Sequence, residues 1–334
     1  MSMQDSRNYE KDNPDIPMVW MFSGQGAQYF HMCKTFYFEN PNFRYWMDHL
    51  DMIIARKRGY SVIDVVFDPG STKSDIFDKT IDTHPALFMF QFALAKTLNE
   101  LGFPDPDFLL GSSLGEFVAA AYADACSPEQ MIIDLIDQAS LLETHCPAGG
   151  MMVIIDEIAS FDYPFIQENS ELAGRNFDGS YVISGTDDNL GKISKKLKEM
   201  DILYQQLPVS LGFHSSLMDD ARLPFLSQFD DDNYGAPAIP IISCCQGIEK
   251  TVNHYSKMHF WNIIRKPIDF QGCFEKFHSS HPKAIYIDLS PSGTMSTFVK
   301  YNLSTTGSEV IPLMSPFGEP EERIKEAIRW MSSM

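Results

Sequence analysis

Apolar residues alternate along this chain between short continuous runs and longer stretches at helical spacing. The runs 19–22, 108–110 and, apart from Asp288, 284–289 are apolar at successive positions, which is typical of strands buried on both faces of a sheet. Residues 85–98 and 128–144 instead repeat their apolar side chains three and four positions apart, which predicts helices. The alternation of strands with helices predicts an α/β fold with a parallel sheet.

The pattern changes at the Pro-Ala-Gly-Gly run 147–150. Beyond it, a helical stretch and the basic helix 188–200 separate short apolar strands at 151–155, 180–184 and 202–207. This β-α-β-α-β order predicts a small ferredoxin-like subdomain inserted in the larger domain. The predicted boundaries are a disordered lead at 1–16, the large domain at 17–147 and 208–315, and the subdomain at 148–207.

Charge and composition exclude several classes of function. A formal net charge of −19 argues against nucleic acid and anionic membrane surfaces as partners. No apolar run reaches the roughly 18–20 residues that a membrane span requires, and residues 1–16 lack the apolar segment of a secretory signal. The six cysteines show neither C-x-x-C pairing nor histidines at zinc spacing. A cytoplasmic protein without disulfides, bound metal or resident cofactor is therefore expected.

The most informative segment is Gly-Ser-Ser-Leu-Gly at 111–115, which follows an apolar strand and opens a helix-compatible run. Glycines on both sides allow a sharp turn that exposes Ser113, and the N–H groups after it lie at a helix N-terminus that can receive an oxyanion. This strand–turn–helix predicts a large domain of α/β-hydrolase type with Ser113 as nucleophile. The competing interpretation is a structural Gly/Ser turn.

A serine nucleophile needs a base, and His214 is the best-placed of the nine histidines. It follows an apolar strand and Gly212 at the predicted subdomain boundary, where a side chain can reach into a cleft. The pattern alone leaves open whether His214 is a base or an ordinary buried histidine. An esterase of the α/β-hydrolase type would need an acid and then a late histidine, but His278 and His281 precede Asp288.

Five segments resemble, in order and spacing, the malonyl-CoA:acyl carrier protein transacylases and the acyltransferase domains of polyketide and fatty acid synthases. The resemblance extends from Met21 to about Lys300. The matching segments are Phe-Ser-Gly-Gln-Gly-Ala-Gln at 22–28, Thr-His-Pro-Ala-Leu at 83–87, Gly-Ser-Ser-Leu-Gly-Glu at 111–116, Gly-Phe-His-Ser at 212–215 and Asp-Leu-Ser-Pro-Ser-Gly at 288–293.

The resemblance implies acyl transfer through an ester on Ser113, with His214 as the base. It further implies an oxyanion hole formed by the backbone N–H groups of Gln25 and Leu114, and a backbone carbonyl, that of Asp269, orienting His214. The substrate would be an acyl thioester whose phosphopantetheine arm enters with an acyl carrier protein or CoA, and a monomer is expected. The substrate-binding residues implied are Gln138, His84, Asn176, Phe213 and Ser112.

Two departures from the family pattern change the expected substrate. Malonyl-using members carry, on the second long helix, an arginine that grips the malonyl carboxylate, and the corresponding position here is Gln138. Losing the partner of a buried charge costs roughly 3–5 kcal/mol, so malonyl transfer is disfavoured. Ser112 replaces the histidine that usually precedes the nucleophile.

Together the two departures resemble the free-standing acyl hydrolases of trans-acyltransferase polyketide pathways, which remove stalled acyl groups from carrier proteins. The sequence therefore predicts an editing hydrolase. The alternatives are a transferase that loads a neutral acyl or malonyl unit onto a carrier, and an inactive docking protein. Because His214 must be neutral to accept a proton, acylation is expected to fall below about pH 6–7.

Overall fold

A computed structural model describes residues 16–245, 251–303, 307–317 and 320–331. The predicted disordered lead, except Ile16, lies outside the described residues. The helices are α1 Lys34–Glu39, α2 Pro41–Arg58, α3 Val62–Val66, α4 Thr80–Glu100, α5 Leu114–Tyr122, α6 Pro128–His145, α7 Pro164–Gln167, α8 Asp187–Glu199, α9 Arg222–Gln228, α10 Lys257–Arg265, α11 Phe270–Ser280, α12 Thr294–Asn302 and α13 Pro320–Met331.

The strands form two sheets, and the α/β prediction is confirmed. The larger sheet has the order β11-β10-β1-β2-β7-β8, and all of its pairings are parallel except that of β8 at one edge. The strands are β1 Met18–Phe22, β2 Phe108–Gly111, β3 Gly150–Ile155, β4 Glu171–Phe177, β5 Ser180–Gly185, β6 Leu203–Gln206, β7 Ile241–Ser243, β8 Thr251–Val252, β9 Ile268–Asp269, β10 Ile285–Asp288 and β11 Glu309–Pro312.

The smaller sheet has the order β6-β3-β5-β4-β9. Its first four strands, with α7 and α8 between them, follow a β-α-β-β-α-β order, whereas the sequence predicted only three strands. The missed strand is β4, whose polar residues and two register shifts against β5 obscure the alternation of a strand. The fifth strand, β9, pairs with β4 in parallel, so a segment predicted to belong to the large domain completes the small sheet.

Strand β1 shows why strands of the large sheet have an apolar residue at nearly every position. Met18, Trp20 and Phe22 belong to the core cluster on one face of the sheet, while Val19 and Met21 belong to the cluster on the other. Since successive side chains of a strand point to opposite faces, a strand covered by helices on both sides needs an apolar residue at every position. The smaller sheet has its own core cluster.

The sequence predicts that α4 starts at Pro85, but the helix begins five residues earlier and Pro85 lies inside it. Proline has no N–H to donate to the carbonyl four residues earlier, which is that of Ile81. The Arg58 guanidinium donates to that carbonyl instead, so the buried helix continues through the proline. Among the described residues, no helix is both long and apolar enough to cross a membrane.

The turn between β2 and α5 is held by close backbone approaches that only glycine permits. A Cβ atom on Gly115 would clash with the Phe22 carbonyl of β1, and one on Gly111 would clash with the Glu116 backbone. A Cβ atom on Gly24 would lie 2.8 Å from the Cβ atom of Ser113. The turn is therefore fixed against β1 and the loop that follows it.

Replacing Gly115 by alanine is expected to destabilise the protein. The new methyl group must displace the Phe22 carbonyl of a central strand, and such overpacking costs about 1–3 kcal/mol. The matched control is Gly191→Ala in α8, where an added Cβ atom meets nothing within 4 Å and should add about 0.5–1 kcal/mol of helix stability. Urea unfolding of both variants measures the difference. Equal stabilities would show that the turn between β2 and α5, here called the elbow, is not tightly constrained.

Candidate active site

Ser113 lies at the N-terminus of α5 in a strained backbone conformation, with φ +52° and ψ −124°. His214 also has a positive φ, +61°. A positive φ is uncommon for residues with a side chain, and such strain persists only where the surrounding structure imposes it. The two strained residues meet, because Ser113 Oγ lies 3.0 Å from His214 Nε2.

The hydrogen bonds of His214 determine which of its ring nitrogens carries the proton. Nδ1 lies 2.9 Å from the backbone carbonyl oxygen of Lys266, and a carbonyl can only accept. Nδ1 therefore carries the hydrogen in the neutral ring, and Nε2 presents a lone pair to the Ser113 hydroxyl. This is the tautomer that can take a proton from Ser113.

The carbonyl that orients His214 belongs to Lys266, so the prediction of Asp269 is wrong. Lys266 follows α10 and precedes Pro267, which ends the helix and holds Lys266 in an extended conformation. Carbonyls in the last turn of a helix have no intrahelical donor, and the Ile264 and Lys266 carbonyls bond to the N–H and Nδ1–H of His214. The Asp269 side chain instead caps α11 by accepting from the Gly272 N–H.

Burial keeps His214 neutral. Removal from water lowers its pKa to about 4, although the hydrogen bonds that it donates to the Lys266 and Ile263 backbone act in the opposite direction. The loss of hydration of the charged ring is the larger effect, so the neutral form is favoured. The structure therefore predicts that His214 titrates near pH 4, below the range of about 6–7 expected from the sequence.

One cavity of about 330 Å³ contains Ser113, His214 and every other predicted site residue except Asp269. It lies between the elbow, the small sheet and α12, and most of its wall is apolar. None of the described residues that line it is Asp, Glu, Lys or Arg. The cavity therefore suits an uncharged acyl chain next to a nucleophile. The remaining predicted residues in its wall are Gln25, Leu114, Gln138, His84, Asn176, Phe213 and Ser112.

Gln25 and Leu114 lie on the two segments that meet at Ser113. Leu114 is the first residue of α5, where a helix leaves its N–H groups without intrahelical acceptors. Gln25 follows Gly24, whose backbone contacts Ser113, and its side-chain amide donates to Thr83 Oγ1 at 2.7 Å. The Gln25 side chain therefore anchors this loop to α4.

Gln138 is buried in the cavity wall and contacts His84, with 3.4 Å between Gln138 Nε2 and His84 Nδ1. On the other side of the ring, His84 Nε2 lies 3.2 Å from Gln25 Oε1. Burial lowers the His84 pKa to about 3, so this ring is neutral as well. A chain of polar side chains therefore links the loop over Ser113 to the cavity wall.

The other predicted residues form the walls around the dyad. The Phe213 ring centroid lies 5.4 Å from that of His84, and the Phe213 carbonyl accepts a hydrogen bond from Ser184 on β5. Asn176, on β4, donates to Ser180 Oγ at 3.2 Å. Ser112 is almost buried, and its N–H donates to the Phe22 carbonyl at 3.0 Å.

A buried network behind the elbow was missed by the sequence analysis. Glu116 accepts hydrogen bonds from Ser243 Oγ at 2.7 Å, His259 Nε2 at 2.7 Å and the Tyr255 hydroxyl at 3.2 Å. Its helix, α5, begins directly after Ser113, and His259 lies on α10, whose C-terminal end contacts His214. The network therefore connects the two helices that contact Ser113 and His214. Its members lie far apart in the sequence, so no local pattern indicated it.

Comparison with known proteins is consistent with this arrangement. The model of the family described as "Acyl transferase domain" matches residues 19–324. The chain is 41% identical over 285 residues to "Polyketide biosynthesis acyltransferase homolog PksD" of Bacillus subtilis, covering 85% of this chain and 87% of that protein. It is 38% identical over 312 residues to the homolog BaeD of Bacillus velezensis, covering 93% and 95%.

Solved structures share the fold. The acyltransferase domain from the second module of the salinomycin polyketide synthase superposes with a TM-score of 0.81 at 24% identity, covering 95% of this chain and 73% of that one. The malonyl CoA-acyl carrier protein transacylase from Coxiella burnetii gives a TM-score of 0.78 at 20% identity, covering 96% and 99%.

The pH dependence of Ser113 acylation is expected to follow the lowered pKa of His214. The neutral form persists down to about pH 5, so the acylation rate should stay nearly constant from neutral pH and fall only as the pH approaches about 4. Stopped-flow acylation by a neutral thioester over this range checks the prediction. A midpoint near 6.5 would contradict the buried, neutral histidine.

Stability has to be followed in the same titration. An unfolded histidine binds a proton near its ordinary pKa of 6.5, whereas the folded His214 binds one only near about 4. The contribution of His214 to stability is therefore complete above about 6.5 and is lost as the pH falls towards about 4. Circular dichroism at each pH separates loss of fold from protonation of the base.

Proposed function

The chain belongs to the acyl transferase domain family, and on that premise we propose that it removes acyl groups from acyl carrier protein thioesters through an ester on Ser113, with water as the final acceptor. The observation that carries the proposal is the Ser113–His214 hydrogen bond inside a cavity whose lining, among the residues that the structure describes, includes no Asp, Glu, Lys or Arg. The carrier protein would present the acyl group on its phosphopantetheine arm, as part of the substrate.

In the first half-reaction, Ser113 Oγ attacks the thioester carbonyl carbon while His214 Nε2 takes the hydroxyl proton. The carbonyl π electrons move onto oxygen in the tetrahedral intermediate. When the intermediate collapses, the carbon–sulfur bond breaks and His214 gives its proton to the departing sulfur. The products are the free carrier thiol and an acyl ester on Ser113.

In the second half-reaction, a water molecule attacks the ester carbonyl and His214 Nε2 takes a proton from it. The bond between the carbonyl carbon and Ser113 Oγ then breaks, and His214 returns the proton to Ser113. A carboxylic acid leaves the cavity. The Lys266 carbonyl keeps Nδ1 protonated throughout and stabilises the imidazolium that forms in each half.

The negative charge on the tetrahedral oxygen would be stabilised by the backbone N–H groups of Gln25 and Leu114. Both residues line the cavity beside Ser113, and Leu114 adds the favourable field of a helix N-terminus. Donors of this kind contribute about 3–4 kcal/mol to the stabilisation of a transition state.

The cavity wall supports an uncharged acyl group. A malonyl unit would bring a carboxylate into a site where no described residue supplies a positive charge, and an unpaired charge in such surroundings is costly. Gln138 stands where malonyl-using relatives carry arginine, and its neutral amide cannot balance a carboxylate.

Release to water is supported by the likeness of Ser112 and Gln138 to the acyl hydrolase subgroup of the family. Transfer to a second carrier is the alternative, favoured by the relatives' printed description as polyketide biosynthesis acyltransferase homologs. Both routes share the acyl-Ser113 intermediate. An inactive docking protein would have no need for two strained residues in hydrogen-bond contact.

Intact-mass spectrometry of an acetyl- or butyryl-carrier protein, incubated with the enzyme and an unloaded second carrier, tests the proposal. We expect free acid and loss of the acyl group from the first carrier, with no acyl group on the second. Acylation of the second carrier at a comparable rate would establish a transferase instead.

In the same experiment Ser113→Ala should abolish the acyl-enzyme, because it removes the attacking oxygen. Ser112→Ala is the matched control and should leave a measurable adduct. Loss of the adduct only in the Ser112 variant would show that Ser112, and not Ser113, is the nucleophile.

Gln138→Arg is expected to shift selectivity towards malonyl. The guanidinium restores a charge partner, and the shift should be part of the roughly 3 kcal/mol that a buried pair involves. Competition between equal malonyl- and acetyl-carrier measures the ratio. Gln130→Arg, on the same helix but away from the cavity wall, controls for the added charge. A wild-type enzyme that prefers malonyl would overturn the assignment of Gln138.

A further inference from the structure

Gln138 has one side-chain atom that the fold leaves without a hydrogen bond. Its Oε1 atom is buried and has no partner among the described residues, while the residue is 1% exposed and lines the cavity that holds Ser113. A buried acceptor without a donor is unfavourable because it has lost its hydrogen bonds to water without a replacement. Such a group in a ligand cavity favours a ligand that supplies the donor.

The assignment of oxygen and nitrogen in the Gln138 amide follows from the chain of hydrogen bonds that starts at Asp78. Gln25 Nε2 lies 3.5 Å from the Asp78 carbonyl oxygen, which can only accept, and 2.7 Å from Thr83 Oγ1. The Gln25 nitrogen therefore faces these two atoms, and Gln25 Oε1 faces His84 Nε2 at 3.2 Å. An amide oxygen only accepts, so His84 Nε2 carries the hydrogen.

The same reasoning extends through the imidazole ring. Burial keeps His84 neutral, so with the hydrogen on Nε2 its Nδ1 atom is an acceptor. The neighbouring Gln138 atom must then be the donor nitrogen, at 3.4 Å. The amide oxygen of Gln138 is left over as an acceptor in a cavity wall that is otherwise mostly apolar.

We propose that the cavity selects acyl groups that carry a hydroxyl group, and that Gln138 Oε1 accepts the hydrogen bond from that hydroxyl. The inference rests on the acyl-Ser113 intermediate proposed above and names its substrate class. A carboxylate or a ketone at this position would place a second acceptor against the amide oxygen, whereas an alkyl chain would leave the oxygen unpaired. Only a donor satisfies it.

The hydroxyl belongs near the thioester end of the acyl chain. The loop that carries Gln25 contacts Ser113 through Gly24, and a single imidazole ring separates Gln25 from Gln138. Ser113 and Gln138 line the same cavity, so we place the hydroxyl on one of the first carbons of an acyl group attached to Ser113. Thioesters of 2-hydroxybutyrate and 3-hydroxybutyrate are the corresponding probes.

The test compares Ser113 acylation by N-acetylcysteamine thioesters of butyrate, 2-hydroxybutyrate, 3-hydroxybutyrate and acetoacetate, measured as kcat/KM and as adduct by intact mass. In the wild type, at least one hydroxyacyl thioester should exceed butyryl by about five- to tenfold, the value of one hydrogen bond to a buried acceptor. Butyryl equal to or above both hydroxyacyl probes would overturn the proposal. A preference for acetoacetyl would also overturn it, because it would show an N–H group facing the cavity.

Gln138→Met keeps the length of the side chain and removes the acceptor, so the hydroxyacyl preference should fall to about unity. Gln130→Met, on the same helix and outside the cavity, should retain it. An unchanged preference in Gln138→Met would contradict the proposal, and the wild-type comparison stands even if that variant does not fold. Failure of every thioester to acylate Ser113 would instead overturn the proposed function.

Discussion

The contact between the turn at Ser113 and the loop after β1 is the constraint on which the site depends. Gly24, Gly111 and Gly115 each lie where a Cβ atom would meet neighbouring backbone or the serine itself. The approach forces Ser113 into a positive φ and places it beside the N-terminus of α5. Parallel pairing of β1 with β2 carries the loop and the turn to the same edge of the sheet.

His214 is held in place by a different set of contacts. The final turn of α10 supplies two carbonyls to His214, and the buried Glu116 links α10 to the helix that begins at Ser113. Because Ser113 and His214 are both held through backbone groups and buried side chains, the proposed proton transfer between them would need little reorganisation. Burial holds His214 neutral, and the described residues that line the cavity around it include no Asp, Glu, Lys or Arg, so the same surroundings favour a neutral base and the proposed uncharged acyl group.

Local patterns were sufficient for the elements that build the elbow. The strand before Ser113, the helix after it and the α/β class follow from apolar runs and glycine positions within a few residues. The start of α4 was misplaced because Pro85 is accommodated by Arg58, a contact made by a residue 27 positions earlier in the numbering. Strand β9 has only two residues and exists because β4 lies beside it.

The site residues show the same contrast between features set by local sequence and features set by distant contacts. The motifs around Ser113 and His214 identified both positions, but the carbonyl that orients His214 depends on where α10 ends, and the prediction was three residues away from Lys266. The contact between Gln138 and His84 joins residues 54 positions apart, and the free oxygen of Gln138 emerges only when the whole hydrogen-bond chain is followed. Local sequence patterns cannot predict such contacts, because they form only when the fold brings distant residues together.

A crystal structure of the acyl-enzyme, trapped at low temperature from a neutral acyl thioester, tests the central claim most directly. We expect an ester on Ser113 Oγ, with its carbonyl oxygen within hydrogen-bond distance of the Gln25 and Leu114 N–H groups and its acyl chain extending into the cavity towards Gln138. An ester on another residue, or a carbonyl oxygen turned away from both N–H groups, would contradict it.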